Sequence, residues 1–200
     1  MGNQAQQRTP RVVLVGSMGA GKTTVGELLA TRWGIGFRDT DRDVEAVVGK
    51  PVSDIFVEDG EATFRALERD AVATALAAHE GVLALGGGAV LDESTRSLLA
   101  GHTVVFLRVG LADAASRVGL GVSRPLLLGN VRGRVKKLLD ERNPIYESVA
   151  TIEIATDGRS PEEVAAAIVE ALEKLDLHFP EVDKDKRVEL AKARRMLMRE

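Results

Sequence analysis

The sequence predicts an α/β fold: one parallel sheet of about five strands with helices on both faces, which makes three layers. Short apolar runs alternate with helical patterns along most of the 200 residues. The apolar runs are continuous, as in strands that are buried on both faces. Parallel neighbours in such a sheet are joined by helical crossovers, which are almost always right-handed.

The predicted strands are short and rich in Val, Ile and Leu. The first ends in glycine, and the third stops at three successive glycines. The fourth has the strongest β-propensity of the set. The strands are predicted at residues 11–15, 36–40, 82–85, 103–109 and 151–155.

The predicted helices carry apolar residues at a spacing near 3.6, most clearly between Phe64 and Ala75. The last helix has a complete start signal, because Ser160 can act as N-cap, Pro161 occupies the first position and Glu163 can close a capping box. Helices are predicted at 22–33, 41–48, 53–58, 61–79, 93–100, 111–118 and 131–142, and from residue 160.

Composition excludes several classes of protein. With 27 Lys and Arg against 30 Asp and Glu, the net charge of −3 gives no basis for general nucleic-acid binding. The chain has no cysteine, which excludes disulfide scaffolds, thiol nucleophiles and cysteine-based zinc sites. No apolar run approaches the roughly 20 residues that cross a bilayer. We therefore expect a cytoplasmic protein without nucleic-acid or membrane partners. A monomer is expected as well, although composition does not determine the oligomeric state.

Three regions differ in character along the chain. Residues 1–10 are polar and aperiodic, which predicts a disordered leader and not a secretory signal. Residues 11–176 are predicted to form the folded domain. Residues 177–200 mix basic and acidic side chains, and a solvated tail or helix is favoured there over a protein-contact surface.

A phosphate-binding motif follows the first strand. The segment matches G-x-x-x-x-G-K-[ST], in which glycines allow a tight loop whose backbone N–H groups face phosphate oxygens. The next helix directs its positive dipole end at the same anion. Lys22 would reach the β- and γ-phosphates, and the Thr23 hydroxyl could coordinate Mg²⁺. The predicted nucleotide-binding residues here are Gly16, Ser17, Met18, Gly19, Ala20, Gly21, Lys22, Thr23 and Thr24.

Three classes of phosphate-loop protein compete. A GTPase would carry an N-K-x-D segment, and the sequence has none. A motor or helicase ATPase would have a long apolar strand ending in Asp, whereas the strand at 82–85 ends in glycines. A small-molecule kinase fits the size of the chain, and a P-loop kinase fold is therefore favoured.

Two carboxylates follow the predicted second strand, in Asp39-Thr40-Asp41. Residues two apart in an extended segment point to the same side, so both would face the crevice beyond the strand ends. One carboxylate could help to hold Mg²⁺, and the other could orient and deprotonate an acceptor hydroxyl. A surface turn with two solvated aspartates is the alternative.

Glycines and arginines suggest where an acceptor would bind. Gly86-Gly87-Gly88 would allow a ligand close to the backbone, although a flexible loop gives the same pattern. Arg65, Arg124 and Arg142 could each capture a carboxylate or phosphate, or lie at the surface. The glycine-containing stretch at about 117–124 suits a mobile lid.

The aromatic and histidine side chains are predicted to be structural. Trp33 and Tyr146 are assigned to core or edge packing and not to cofactor contact. The three histidines are scattered and have no metal-ligand spacing.

Taken in order, the motifs resemble those of the shikimate kinase family. The resemblance extends from about residue 11 to 176 and leaves out the leader and the tail. It is carried by Gly16–Thr23, Asp39-Thr40-Asp41, Gly60-Glu61 with Phe64-Arg65, Gly86-Gly87-Gly88-Ala89-Val90, Arg124-Pro125-Leu126-Leu127 and Arg142-Asn143-Pro144-Ile145-Tyr146.

The resemblance implies an ATP-dependent kinase that phosphorylates the 3-hydroxyl of shikimate on the route to chorismate and aromatic amino acids. It implies Asp41 as the acidic residue at the acceptor hydroxyls and candidate base, and Mg²⁺ held by Thr23 with Asp39. Many members have Ser where this chain has Thr23, and either hydroxyl can ligate the ion.

The resemblance also assigns the basic residues and glycines. Arg65 and Arg142 would hold the shikimate carboxylate, with backbone contacts from the glycine triplet Gly86, Gly87 and Gly88. Arg124 would move in with the lid to meet the transferring phosphate, and Lys22 would hold ATP. Arg117 and Arg159 would lie on the adenine side.

Two other functions remain open from the sequence. A gluconate-type kinase would accept a substrate without needing the carboxylate clamp. A non-catalytic nucleotide-binding module would bind ATP without turnover stimulated by an acceptor.

Overall fold

The computed structural model describes residues 10–119 and 131–177. Five parallel strands form one sheet in the order β2-β3-β1-β4-β5. Their bounds are β1 Val12–Val15, β2 Phe37–Asp39, β3 Val82–Ala84, β4 Val104–Arg108 and β5 Ile152–Ala155. The α/β class and the number of strands agree with the prediction.

Eight helices surround the sheet within the described residues. They are α1 Lys22–Trp33, α2 Thr40–Val48, α3 Val52–Glu58, α4 Glu61–Ala78, α5 Glu93–Leu98, α6 Leu111–Gly119, α7 Val131–Val149 and α8 Pro161–Glu173, with a 3₁₀ turn at Ala89–Leu91. Ser160 and Glu163 form the predicted capping box at the start of α8. No helix in the described ranges is long and apolar enough to cross a membrane.

The strand at the centre of the sheet is buried on both faces. Val12 and Leu14 pack into one apolar cluster, where α1 and α8 cover the sheet. Val13 and Val15 pack into a second cluster on the other face, with α4 and the Tyr146 end of α7. This two-sided burial is why the apolar runs are continuous.

A small apolar cluster supports the helices beyond β2. Val44, Ile55 and Phe64 are buried together and join α2, α3 and α4. These helices form one wall of the cavity described below.

The second strand is shorter than predicted. It ends at Asp39, which becomes the N-cap of α2, because its carboxylate accepts a hydrogen bond from the Asp41 backbone N–H at 3.1 Å. Thr40 is therefore helical. The prediction of an extended Asp39-Thr40-Asp41 segment was wrong, although both aspartates do line the same cavity.

Helix α7 is longer than predicted, because it continues through Pro144 to Val149. Proline has a helix-compatible φ but removes one N–H and crowds the preceding turn, at a cost of about 3 kcal/mol. Contacts beyond the proline offset this cost. Tyr146 is fully buried, and Glu147 pairs with Arg108 of β4.

Candidate active site

A cavity of about 660 Å³ lies at the carboxyl ends of the strands. The loops after β1, β2 and β3 meet there, as expected for a ligand site in an open α/β sheet. Helices α3, α4, α6 and α7 complete its walls. Its lining includes Met18, Gly19, Gly21, Lys22, Thr23, Thr24, Asp39, Asp41, Val52, Ser53, Phe56, Arg65, Glu68, Gly87, Gly88, Arg117 and Arg142.

The loop after β1 has the backbone that the motif predicts. Gly16, Gly19 and Gly21 all have positive φ, a backbone conformation that residues other than glycine rarely adopt. Lys22 begins α1 and curls back over the loop, with Nζ 2.7 Å from the Gly16 carbonyl oxygen and 3.3 Å from that of Ser17. The ammonium group therefore lies over the loop, beside the N-terminus of α1, where an anion is favoured.

A hydroxyl and a carboxylate meet beside this loop. Thr23 Oγ1 donates to Asp39 Oδ2 at 2.9 Å. Mg²⁺ in proteins is commonly held by one or two such oxygen ligands together with substrate phosphates and water. The described residues contain no group of three or more Asp, Glu, His or Cys that could hold a metal. The donor set therefore fits an ion held mainly by phosphate and water.

Asp41 has an unusually basic carboxylate. Burial, and next the charge of Asp39, raise its pKa from 3.8 to about 6, while Lys22 lowers it. A carboxylate with a pKa close to the working pH suits proton transfer.

The turn that carries Asp41 is attached to the glycine loop. The Gly86 backbone N–H donates to Thr40 Oγ1 at 2.9 Å, and the Thr40 side chain is fully buried. A methyl group on Gly86 would lie 2.4 Å from Asp41 Oδ1 and 2.6 Å from Glu68 Oε1. The sequence reasoning did not identify Thr40 as a link between these segments.

Arg65 is held by a buried carboxylate that the sequence reasoning also missed. Its Nη1 donates to Glu68 Oε2 at 2.6 Å, and its Nη2 donates to Glu61 Oε1 at 3.1 Å. Glu68 is 3% exposed, and burial raises its pKa although Arg65 opposes the rise. A methyl group on Gly88 would lie 2.1 Å from the Arg65 guanidinium, so this glycine makes room for the arginine.

Arg142 reaches the same cavity from α7. Its Nη1 donates to the Gly87 carbonyl oxygen at 3.0 Å. Arg142 was predicted to lie near the end of a helix. Because α7 continues past Pro144, it lies within the helix instead.

The other arginines predicted at the nucleotide have different positions. Arg117 lines the cavity and donates to the Gly19 carbonyl oxygen at 3.1 Å and to Asp113 at 2.9 Å. Arg159 is exposed and is not among the lining residues. Arg124 and the lid beyond residue 119 lie outside the described residues, as do residues 1–9 of the predicted leader and residues 178–200 of the tail.

Most of the predicted residues therefore share one cavity. Gly16, Ser17, Ala20 and Gly86 are not among its lining residues, because they form the buried backbone behind it. Asp41, Arg65 and Arg142 lie in the same cavity as Lys22.

Solved structures of two kinds of kinase resemble this fold, one more closely than the other. A gluconokinase from Sinorhizobium meliloti matches with a TM-score of 0.55 at 21% identity, over 85% of this chain and 95% of that one. A shikimate kinase from Acinetobacter baumannii, solved in complex with shikimate, matches with a TM-score of 0.81 at 33% identity, over 88% of this chain and 99% of that one. The phosphate loop and the shared fold define a P-loop kinase.

Sequence comparison identifies the family. The shikimate kinase family model matches residues 18–173. A shikimate kinase from Thermobifida fusca is 61% identical over 82% of this chain and 95% of its own length. One from Rhodococcus jostii is 46% identical over 82% of this chain and 98% of its own length. The chain belongs to the shikimate kinase family.

Proposed function

We propose that the chain transfers the γ-phosphoryl group of ATP to the 3-hydroxyl of shikimate, giving shikimate 3-phosphate and ADP. The observation that carries the proposal is that Lys22, Asp41 and the pair Arg65 and Arg142 line one cavity. Phosphoryl transfer needs in-line positioning and cationic groups around the phosphate more than covalent help from the protein.

On the phosphate side, Lys22 holds and neutralises the β- and γ-phosphates, and the loop N–H groups orient them. Thr23 and Asp39 supply oxygen ligands for Mg²⁺. Bound there, the ion would neutralise charge that develops on the phosphate oxygens. Arg117 lies on the nucleotide side, and Arg124 and Arg159 are proposed to join it.

On the acceptor side, Arg65 and Arg142 bind the carboxylate of shikimate, and the glycine loop contacts the ring substituents. Asp41 accepts a hydrogen bond from the acceptor hydroxyl and takes its proton as the phosphorus–oxygen bond forms. The raised pKa of Asp41 supports this assignment, because the group is ionised above pH 6 yet remains basic enough to take a proton.

The proposal is tested by measuring ADP release with a panel of acceptors. We expect shikimate to stimulate release, its methyl ester to be about 10- to 100-fold poorer because it lacks the charged hydrogen bonds, and gluconate to be inactive. Equal stimulation by gluconate would favour the gluconate-type kinase. ATP binding without stimulation by any acceptor would favour a non-catalytic module.

Arg65→Ala should raise the KM for shikimate by about 10- to 100-fold and change the KM for ATP less than about threefold, since it removes charged hydrogen bonds to the acceptor alone. The matched control is Arg69→Ala, one turn later on α4, where the arginine is half exposed and pairs with Asp92. If Arg65→Ala raised the KM for shikimate and the KM for ATP equally, the assignment would be contradicted. Misfolding would then be indicated, because Glu68 loses its buried partner.

The pH dependence should follow Asp41. Its ionised form is required, so kcat/KM for shikimate should fall about tenfold per pH unit below about pH 6 and level off above it. The pH profile is measured from about pH 5 to about pH 8, on both sides of the Asp41 pKa of about 6. A flat profile across pH 6 would remove Asp41 from the role of base.

A further inference from the structure

Tyr146 bonds to the glycine loop that lines this cavity, and the proposed mechanism leaves it unused. It lies on α7 and is fully buried, and its ring stacks on Phe106 with centroids 5.1 Å apart. Phenylalanine would satisfy this packing. A buried hydroxyl is costly unless it is hydrogen-bonded, so its partners indicate what it does.

The phenol donates to the glycine loop. Tyr146 Oη lies 2.5 Å from the Gly87 carbonyl oxygen, which also accepts from Arg142 Nη1 at 3.0 Å. Burial raises the pKa of Tyr146 to about 12, so the phenol keeps its proton and remains a donor. The Gly87 carbonyl is therefore fixed by two donors from one helix.

The same phenol also lies near the phosphate loop. The side chains of Arg142 and Ser17 are close enough to it to lower its pKa, against the larger effect of burial. Position 87 itself lies against that loop, since a methyl group on Gly87 would be 3.7 Å from the Gly16 carbonyl oxygen and 3.7 Å from the Met18 amide nitrogen. One hydroxyl thus bonds to the loop after β3 and lies next to the loop after β1 and an arginine of the acceptor site.

We propose that Tyr146 is a positioning residue, which fixes the Gly87–Gly88 peptide for the acceptor and holds it at a set distance from the phosphate loop. The inference rests on the proposed function. A trans peptide is planar, so holding the Gly87 carbonyl also sets the direction of the Gly88 N–H. The described residues contain no cis peptide. An acceptor displaced by about 1 Å from its in-line position can lose about 100-fold in rate.

The test is Tyr146→Phe, which removes the hydroxyl and keeps the ring. We expect kcat/KM for shikimate to fall about 10- to 100-fold, mostly in kcat, with the KM for ATP changed less than about threefold. The matched control is Ile168→Val, a fully buried change on α8 in the other apolar cluster. It should lower Tm to a similar extent and leave both kinetic constants unchanged.

A double-mutant cycle tests the connection between the loops. Ser17→Ala and Tyr146→Phe should be non-additive in kcat/KM for shikimate, because the two hydroxyls are neighbours and neighbouring side chains that share partners couple in such cycles. Additive effects, or a Tyr146→Phe enzyme with wild-type kcat/KM, would overturn the proposal and leave Tyr146 as a packing residue.

A readout without turnover separates this inference from the proposed function. In the NMR spectrum of the backbone amides of the substrate-free protein, the chemical shift of the Gly88 amide should change in Tyr146→Phe. It should stay the same in Ile168→Val. An unmoved Gly88 resonance in Tyr146→Phe would overturn the positioning role. A wild-type enzyme without shikimate-dependent ADP release would instead overturn the proposed function.

Discussion

Lys22→Met should lower kcat by about 100- to 1000-fold, the loss that follows removal of one group that stabilises charge in a transition state. Methionine keeps the length of the side chain and removes its charge. The fold should survive, because the Lys22 ammonium lies over the loop and the loop conformation is set by backbone at Gly16, Gly19 and Gly21.

The measurement for Lys22 is kcat at saturating shikimate, with ATP varied. Lys174→Met is the control, because this lysine is 72% exposed and pairs only with the neighbouring helical residue Glu170 in the described structure. Lys22→Arg should recover only part of the activity, since a planar fork cannot replace a compact ammonium that contacts two carbonyl oxygens of the loop. A Lys22→Met enzyme that kept more than a tenth of wild-type kcat would contradict the role given to Lys22.

Asp41→Asn should lower kcat at least about 100-fold and at the same time raise Tm. The first effect follows because asparagine cannot accept the proton. The second follows from linkage. The folded-state pKa of Asp41, about 6, lies above the ordinary value of 3.8, so its favourable contribution to stability is complete below about pH 4 and is lost as the pH rises through 6.

At neutral pH the ionised Asp41 therefore destabilises the folded state, by at most about 3 kcal/mol for a shift of this size. Asparagine carries no charge and removes this destabilising contribution, so Tm measured at pH 7 should rise by several degrees. Asp43→Asn on the same helix is the control. Asp43 pairs with Arg38, so its loss should lower Tm slightly without changing kcat. If Asp41→Asn lost activity and Tm together, misfolding would explain the loss and the assigned role would fail.

The sequence predicted the parts of this molecule whose rules are local. Continuous apolar runs predicted strands buried on both faces, and the Ser160 capping signal predicted the start of α8. The phosphate loop was predicted because its glycines and its lysine act within a few residues of one another. The extent of these elements was confirmed to within a few residues, apart from α7.

The features that the sequence did not predict depend on contacts between distant segments. Proline alone predicts a helix end near residue 143, and only the burial of Tyr146 and the pair between Glu147 and Arg108 make continuation favourable. Thr40 bonds to a residue 46 positions away, a relation that no spacing rule contains.

Glu68 was missed although a signal existed. It lies four residues after Phe64 and four before Val72, in line with two residues that the structure buries. A carboxylate on the core face of an amphipathic helix needs a buried partner. Arg65, three residues earlier, is that partner.

Gly86 carries a consequence for enzyme engineering. Asp41 and Glu68 occupy the space beside it so closely that any larger residue would displace one of the two carboxylates. Variants with altered acceptor preference should therefore not arise from changes at this position. The wall that can be redesigned is α3, where the side chains of Val52 and Ser53 face the cavity. Phe56 on the same helix should be kept, because the Arg65 guanidinium lies 5.7 Å from the centre of its ring.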